Sequence, residues 1–204
     1  MANYNPHELL QKERYKIVTG SVLPRPIAWV SSMDTAGNLN LAPYSFFTVA
    51  STNPLTLLFC PQTPAPGAAK DTLRNVQAVG EFVINITNEA TAVAMNQTAT
   101  SLPHGQSEFG YAGLEPAPST AVSVPRVASA PVAFECTLRD ILTINPEEQG
   151  GGAIVLGEVQ NIFVQDGIYD PTSGYILLDK LQPIGRLAGN GYVHVTDLFT
   201  LIRE

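Results

Sequence analysis

Proline and glycine divide this chain into short apolar segments, and that division limits the folds open to it. The 204 residues include 16 Pro and 16 Gly. Proline removes a backbone donor and glycine weakens element interiors, so both residues mark the ends of strands and helices. Most segments between them have strand length, and most neighbours are joined by hairpin-length turns. The pattern predicts a mainly β fold, an antiparallel β-barrel or closed sheet with a few covering helices.

A first hairpin is predicted near the start of the chain. Residues 26–33 (PIAWVSSM) form one strand and residues 39–49 the return strand. The turn between them spans residues 34–38, where Gly37 and Asn38 supply the positive-φ positions that a tight hairpin needs.

The remaining segments alternate between strands and helices. Residues 55–60 (LTLLFC) form a continuous apolar run between two prolines, which predicts a fully buried strand. Other predicted strands are residues 81–87, 133–144, 153–164 and 191–196. A hairpin turn is predicted at residues 150–152, between residues 133–144 and 153–164. Predicted helices are residues 6–15 capped by Asn5, 70–79, 88–99 capped by Asn88, and a short one within 107–114.

Residues 100–131 form a long excursion that carries five prolines. Phe109 and Tyr111 lie inside it, so we expect an ordered segment and not a linker. Long loops in compact domains are usually functional or cover another part of the molecule. No internal repeat or shift in composition divides the chain, and we expect a single domain over residues 1–204.

Composition excludes several classes of protein. Charged residues make up 14% and apolar residues 45%, whereas a disordered chain needs high charge and low hydrophobicity. So few charges leave much apolar surface on a monomer, which favours a subunit interface. The net charge of −7 and the scattered Lys and Arg argue against nucleic-acid or anionic-lipid partners.

The same sequence predicts a cytoplasmic protein. No apolar run approaches the roughly 20 residues of a membrane span, and the polar first 13 residues do not have the pattern of a signal peptide. Cys60 and Cys136 are too few for a disulfide scaffold and are expected to be buried and reduced.

Conventional catalytic patterns are missing from the sequence. His7, His104 and His194 are remote from one another, and no His or Cys pair has metal-ligand spacing, so we expect no metal site. There is no nucleophile elbow, dinucleotide fingerprint or P-loop. We therefore assign no catalytic residue.

One short motif has the chemistry of an anion site. Lys70, Asp71 and Thr72 stand where a helix begins after the Pro- and Gly-rich residues 61–67. The free N–H groups of a first helical turn favour an anion, and an ammonium and a hydroxyl beside them suit a phosphate monoester. By itself the triplet favours a plainer interpretation, in which Asp71 or Thr72 only caps the helix and Lys70 is solvated.

A succession of motifs resembles the flavin reductase-like, FMN-binding split-barrel family, in particular its flavoredoxin-like branch. The resemblance covers about residues 15 to 195, and the order of the motifs is more specific than any one of them. They are residues 24–32 (PRPIAWVSS), the Gly37 turn, 40–47 (NLAPYSFF), 53–54, 70–72 with Asn75, 81–85 (EFVIN), 134–136 (FEC), 157–159 (GEV) and 183–186 (PIGR). Residues 100–131 match the family poorly, and we expect this excursion to cover the exposed face of the flavin.

The resemblance implies a split β-barrel homodimer that holds FMN non-covalently near the subunit interface. It also implies which residues would bind the cofactor: Arg25, Ser31, Ser32, Ala42, Pro43, Tyr44, Ser45, Lys70, Asp71, Thr72 and Arg186.

These residues suit the parts of FMN in different ways. Ser31 and Ser32 would offer donors to the polar edge of the flavin, and residues 42–45 would let its pyrimidine end approach closely. Donors at that end stabilise the negative charge of the reduced ring. Arg25 would clamp the phosphate with Lys70 and Thr72.

Structural alternatives stay open for several of these residues. Arg25 could instead pair with a carboxylate, and Arg186 could act in its own or in the opposite subunit. Trp29, Val30, Phe46 and Phe47 are expected in the core, because each hairpin strand must bury one face.

The leading hypothesis is an oxidoreductase in which NADH or NADPH reduces bound FMN, which then reduces a free flavin, a protein or a small acceptor. The second is a non-enzymatic electron carrier or FMN-binding module without a nicotinamide site. The third is a barrel that binds another ligand.

Overall fold

A long antiparallel sheet forms the body of the protein in this computed structural model, which describes residues 1–103 and 106–202. The strands are β1 (Ala28–Met33), β2 (Leu39–Tyr44), β3 (Phe47–Thr52), β4 (Leu55–Phe59), β5 (Glu81–Ile86), β6 (Pro116–Ala117), β7 (Arg126–Val127), β8 (Val132–Ile144), β9 (Gly152–Val164), β10 (Tyr169–Asp170), β11 (Tyr175–Ile176), β12 (Ile184–Arg186) and β13 (Tyr192–His194). Seven of them pair in the order β2-β1-β5-β8-β9-β4-β3, and the others form three two-stranded ribbons. The predicted mainly β class is confirmed.

The described residues include five short helices, which surround the sheet. They are α1 (Gln11–Ser21), α2 (Asp71–Val79), α3 (Ala92–Gln97), α4 (Glu108–Tyr111) and α5 (Leu178–Leu181), with a 3₁₀ turn at Glu89–Thr91. The predicted helices over residues 70–79, 88–99 and 107–114 are confirmed in shorter form, and Asn88 and Ser107 cap the turns that follow them. No helix in the described part of the chain is long and apolar enough to cross a membrane.

The sheet curls because its two edge strands, β2 and β3, follow each other directly in the chain. Past Tyr44 the backbone leaves β1 and pairs with β4 instead, and the Phe46 carbonyl accepts the Cys60 N–H at 2.8 Å. The Tyr44 and Phe59 rings meet at 5.1 Å across this junction. The result is a split β-barrel. The predicted single strand over residues 39–49 is wrong, because one straight strand cannot serve both edges of a sheet that closes on itself.

The barrel interior is packed with apolar side chains from β1, β4, β5, β8 and β9, under α2. Phe82 and Phe59 lie edge to face at 5.5 Å in its centre and are fully buried. Gly157 of β9 lies directly beneath Phe82, and a Cβ there would come within 2.3 Å of the ring. Glycine at this position is therefore a packing requirement. Cys136 is buried in the same cluster.

A second apolar layer covers the outer face of β1 and β2. Trp29 is completely buried there against Met95 and Phe109, and its indole N–H donates to Thr98 at 2.8 Å. The expectation that Trp29 and Val30 belong to the core is confirmed.

Helix α1 begins at Gln11, five residues later than the start predicted from Pro6. The Glu13 carboxylate accepts the Leu10 N–H at 2.8 Å, and Arg14 donates to the carbonyls of Pro6 and Leu9. Residues 6–8 form a turn before the helix, with the Asn5 side chain accepting the His7 N–H. Glu13 and Arg14 thus hold the residues before the helix in a turn. The prediction from Pro6 and Asn5 did not include these contacts.

The excursion over residues 100–131 divides into two parts, with residues 104 and 105, and hence His104, outside the described residues. The first part runs beside β2, where it contributes α4. The second part lies against β5 and β8 and is held there by acidic and amide side chains. Asn85 accepts the Val127 N–H at 2.8 Å, and Glu81 accepts the N–H and hydroxyl of Ser123.

Glu135 of β8 makes the densest of these attachments. Its carboxylate is 1% exposed and accepts the N–H groups of Thr120 and Ala121 at 2.6–3.0 Å, together with the Asn161 amide at 3.0 Å. A buried charge is tolerated only when such donors replace its lost hydration. Glu135 therefore fixes the second half of the excursion to the barrel.

Replacing Glu135 with alanine should cost about 2–4 kcal/mol of unfolding free energy, because three part-buried donors then lose their charged acceptor. Urea denaturation measures the difference. Glu158→Ala is the matched control: this carboxylate of β9 pairs with Arg139 at the surface, and such pairs contribute about 0–1 kcal/mol. Equal losses in the two variants would contradict the role given to Glu135.

Candidate functional site

A pocket of about 380 Å³ opens where the barrel is split. Its walls are residues 42–46 at the end of β2, residues 69–72 at the start of α2, and residues 98–102, with Asn40, Gln62 and Glu108 at the edges. The volume is within the usual range of small-molecule sites, roughly 300–1,000 Å³. The pairing of β2 with β1 ends at Tyr44, and none of the described strands pairs with the other edge of β2. The pocket occupies the space left at this edge.

The start of α2 forms one wall of the pocket. Lys70 is the N-cap residue with extended backbone, and no side-chain hydrogen bond caps the helix. Asp71 pairs with Arg74, while Lys70 and Thr72 border the pocket. A cation and a hydroxyl therefore meet at this wall.

Small and aromatic residues of β2 form the opposite wall. Ala42, Pro43, Tyr44 and Ser45 all line the pocket. Proline is tolerated in a strand mainly at a sheet edge, which agrees with the position of β2. Burial raises the pKa of the Tyr44 phenol well above its usual value, opposed by a hydrogen bond with Thr72. The phenol therefore stays protonated and can act as a donor.

Glu108 of α4 brings a carboxyl group to the same pocket. Its Oε2 accepts the N–H of Leu41 at 2.9 Å, so it satisfies a donor on the free edge of β2. Burial is the main cause that raises the pKa of Glu108, and the Leu41 N–H acts in the opposite direction. Part of the excursion thus borders the pocket, although residues 115–131 lie against β5 and β8.

Asn40 connects the pocket to the interior. Its amide donates to Thr72 Oγ1 at 2.8 Å and to Ser32 Oγ at 3.2 Å, and Asn75 donates to Ser32 at 3.2 Å. Asn40 was not among the predicted site residues. The signal was present, since side chains alternate along a strand and Asn40 shares one face of β2 with Ala42 and Tyr44.

Seven predicted residues meet at the pocket. They are Ala42, Pro43, Tyr44, Ser45, Lys70, Asp71 and Thr72. They come from two segments about 30 positions apart, and the packing of α2 against β1 and β2 brings them together.

Ser31 and Ser32 do not line the pocket. Both are fully buried on β1, which has β2 on one side and β5 on the other. Ser31 donates to the Pro125 carbonyl at 2.7 Å, and Ser32 accepts from the two asparagines described above. Their hydroxyls hold neighbouring segments together, because the middle strand of a sheet has no open flank.

Arg25 also lies behind the pocket wall. Its guanidinium donates to the carbonyls of Thr19, Val22 and Leu187 at 2.8–3.0 Å and to the Ser45 hydroxyl at 3.3 Å. Burial, more than any other cause, lowers the pKa of Arg25. Among the described residues, its hydrogen-bond partners are thus a hydroxyl and backbone carbonyls and not a carboxylate.

Arg186 is next to Arg25 and away from the pocket. The two residues exchange backbone hydrogen bonds of 3.1 and 2.8 Å. The Arg186 guanidinium donates to the carbonyls of Gly189 and Gly191 and lies over the Tyr192 ring, 4.7 Å from its centre. The motifs that contain Arg25 and Arg186 are remote in sequence, and an antiparallel β-bridge joins them in the fold.

His194 lies at the protein surface, and the two cysteines are more buried. His194 is exposed on β13, 3.7 Å from a Glu89 carboxylate. Cys136 is buried, Cys60 is half-buried at the pocket, and both are free thiols. In residues 1–103 and 106–202, no group of three or more His, Cys, Asp or Glu could hold a metal ion.

Comparison with known proteins agrees with this architecture. The family model described as a flavin reductase like domain matches residues 19–180. The uncharacterized protein YwrF of Bacillus subtilis is 40% identical over 201 residues, 98% of each chain.

Two solved structures are similar over nearly the whole chain. Nitrilotriacetate monooxygenase component B from Bacillus cereus has a TM-score of 0.93 at 38% identity, with 98% of each chain covered. The 2-nitrobenzoate 2-nitroreductase NbaA of Pseudomonas fluorescens has a TM-score of 0.88 at 31% identity, covering 100% of this chain and 96% of that one. Together with the family match and the split barrel, these similarities show that the chain belongs to the flavin reductase-like family.

Proposed function

We propose that this protein is an FMN-dependent oxidoreductase that takes electrons from NADH or NADPH and passes them to a flavin, a small molecule or a protein acceptor. The observation that carries this proposal is the pocket at the barrel split, where the start of α2 faces the end of β2. The family membership supports a flavin as the ligand. The ammonium of Lys70 and the hydroxyl of Thr72 at the start of α2 suit a phosphate, which supports FMN among the flavins.

The residues of the pocket fit the two ends of FMN. Lys70, Thr72 and the first N–H groups of α2 would hold the phosphate, since charge-assisted hydrogen bonds from several donors suit a dianion. Ala42 and Pro43 have little side chain to block a planar ring, so residues 42–45 would border it. The bound flavin supplies the redox chemistry, namely hydride acceptance and electron transfer.

The chain itself supplies binding and orientation. Tyr44 offers a protonated phenol, and Ser45 a hydroxyl that Arg25 holds from behind at 3.3 Å. The redox step needs no acid–base pair from the protein, which agrees with the lack of an assigned catalytic residue. Arg186 lies outside this pocket, and its predicted role toward the cofactor would have to involve a second subunit.

Exposed apolar side chains support a homodimer with the flavin near its interface. Tyr15 and Val18 are exposed on α1, as is Leu10 just before it, and large apolar residues are exposed again over 198–202. Tyr15 also borders the pocket. A partner that covered α1 would therefore come to the rim of the flavin site, and stable interfaces bury roughly 1,200–2,000 Å² in total.

Purified protein should bind FMN with a flavin absorbance spectrum, and anaerobic NADH or NADPH should bleach it within the turnover range of enzymes. Stopped-flow absorbance gives the rate of bleaching. Rapid reduction by a low-potential protein donor, together with failure of both nicotinamides, would select the electron-carrier alternative. A protein that binds no added FMN would overturn the proposal as a whole.

Removing the polar groups of Lys70 or Thr72 should weaken the binding of FMN. The binding of riboflavin, which has no phosphate, should not change. Lys70→Ala and Thr72→Val should each raise the FMN Kd about tenfold, as expected for one lost charge-assisted interaction. Fluorescence titration gives both constants. Lys180→Ala is the control, since this exposed lysine of α5 is far from the pocket and pairs with Asp179. Equal weakening of riboflavin would place the phosphate elsewhere.

Dimerisation and FMN binding should be coupled. A ligand that binds only the dimer stabilises it by mass action, so dilution to the monomer should release FMN. Analytical ultracentrifugation with flavin detection follows both species. Val18→Asp should shift the protein toward monomer, whereas Lys12→Asp on the same helix, outside the apolar set, should not. A monomer that retains full FMN occupancy would contradict the coupling.

A further inference from the structure

Four polar side chains form a continuous chain from the protein interior to the pocket. Asn75 and Ser32 are buried, and Thr72 at the other end is 1% exposed, although it borders the pocket. Asn40 lies between them and bonds to both hydroxyls. None of these side chains is charged. Their effect on the pocket therefore depends on which group donates and which accepts in each hydrogen bond.

The direction of each bond is fixed by the groups that make it. A side-chain amide nitrogen only donates, so Ser32 Oγ accepts from both Asn40 and Asn75. Thr72 Oγ1 likewise accepts from Asn40 at 2.8 Å. A hydroxyl that already accepts still carries one proton to donate. For Thr72 that proton points away from Asn40, toward the side on which Thr72 hydrogen-bonds with Tyr44 and borders the pocket.

We propose that Asn40 is a positioning residue that keeps Thr72 a donor toward the pocket and thereby sets a preference for phosphorylated over unphosphorylated flavin. The inference rests on the proposed function, because it assigns a role in binding the phosphate. A phosphate dianion only accepts hydrogen bonds, so a hydroxyl serves it only when its proton points at the ligand. Asn40 removes the alternative orientation before the ligand arrives, which lowers the cost of binding.

Orienting Thr72 in this way requires an asparagine at position 40 of β2. An alanine would leave Thr72 free to turn its proton elsewhere. An aspartate of the same shape would accept the Thr72 proton, turn the lone pairs of Thr72 toward the pocket and add a negative charge beside the phosphate. The isosteric change should therefore do more harm than the truncation, which is the opposite of what packing alone predicts.

The decisive experiment measures Kd for FMN and for riboflavin in Asn40→Ala and Asn40→Asp. We expect the FMN Kd to rise about 5- to 20-fold in the first variant and further in the second, with riboflavin unchanged within about twofold. Asn75→Ala is the matched control, because Asn75 donates to the same Ser32 hydroxyl from α2. It should lower thermal stability while keeping the ratio of the two constants within about twofold. If Asn40→Ala does not fold, the isosteric variant decides alone.

A double variant tests whether Asn40 acts through Thr72. In a Thr72→Val background, Asn40→Ala should change the FMN Kd by less than about twofold, since coupled residues are not additive. Multiplicative effects would overturn the inference and indicate that Asn40 contacts the ligand by itself. An unchanged ratio of FMN to riboflavin constants in the single variants would also overturn it. Failure of the unaltered protein to bind FMN would instead overturn the proposed function.

Discussion

The free edge of β2 is the constraint on which the rest of the structure depends. A sheet edge presents unpaired N–H and C=O groups that must be paired, covered or solvated. This protein closes most of the sheet by turning the chain at residues 45–46, so that β2 and β3 become opposite edges of a barrel that stays open between them. Glu108 covers one remaining donor at Leu41, and the start of α2 faces the rest. The pocket is the part of this edge that no strand covers.

Buried polar side chains, and not ion pairs, hold the covering segments to the barrel. Glu135 binds backbone N–H groups of the excursion, and Asn85 binds Val127. Arg25 binds two backbone carbonyls at the end of α1 and the carbonyl of Leu187. Each side chain satisfies main-chain groups that would otherwise be buried without partners. This use of few charged residues agrees with a chain that has only 14% of them. It also explains why arginine-containing motifs need not mark a ligand site.

The same network gives the pocket its chemical character. Thr72 and Ser45 border the cavity, and each accepts a hydrogen bond from a neighbouring side chain, Asn40 at the edge of the pocket and Arg25 behind it. A site with such support is pre-organised, since its donors do not have to be ordered when the ligand binds. Similarity to a monooxygenase component and to a nitroreductase shows that one barrel of this kind occurs in proteins with different names and reactions.

The sequence by itself determined the local structure of this protein and the family. Alternation of side chains and turn residues predicted β1 with its hairpin, β5, and the β8–β9 pair, and the order of motifs predicted the split barrel. Lys70, Thr72 and residues 42–45 were predicted as cofactor-binding residues from short segments, and the structure brings them to one pocket. Only the tertiary structure decided that Arg25, Ser31, Ser32 and Arg186 do not line this pocket and that Asn40 does. The physical reason is that a side chain's partners depend on which strand flanks are covered, and closure of the sheet sets that through contacts between residues remote in sequence.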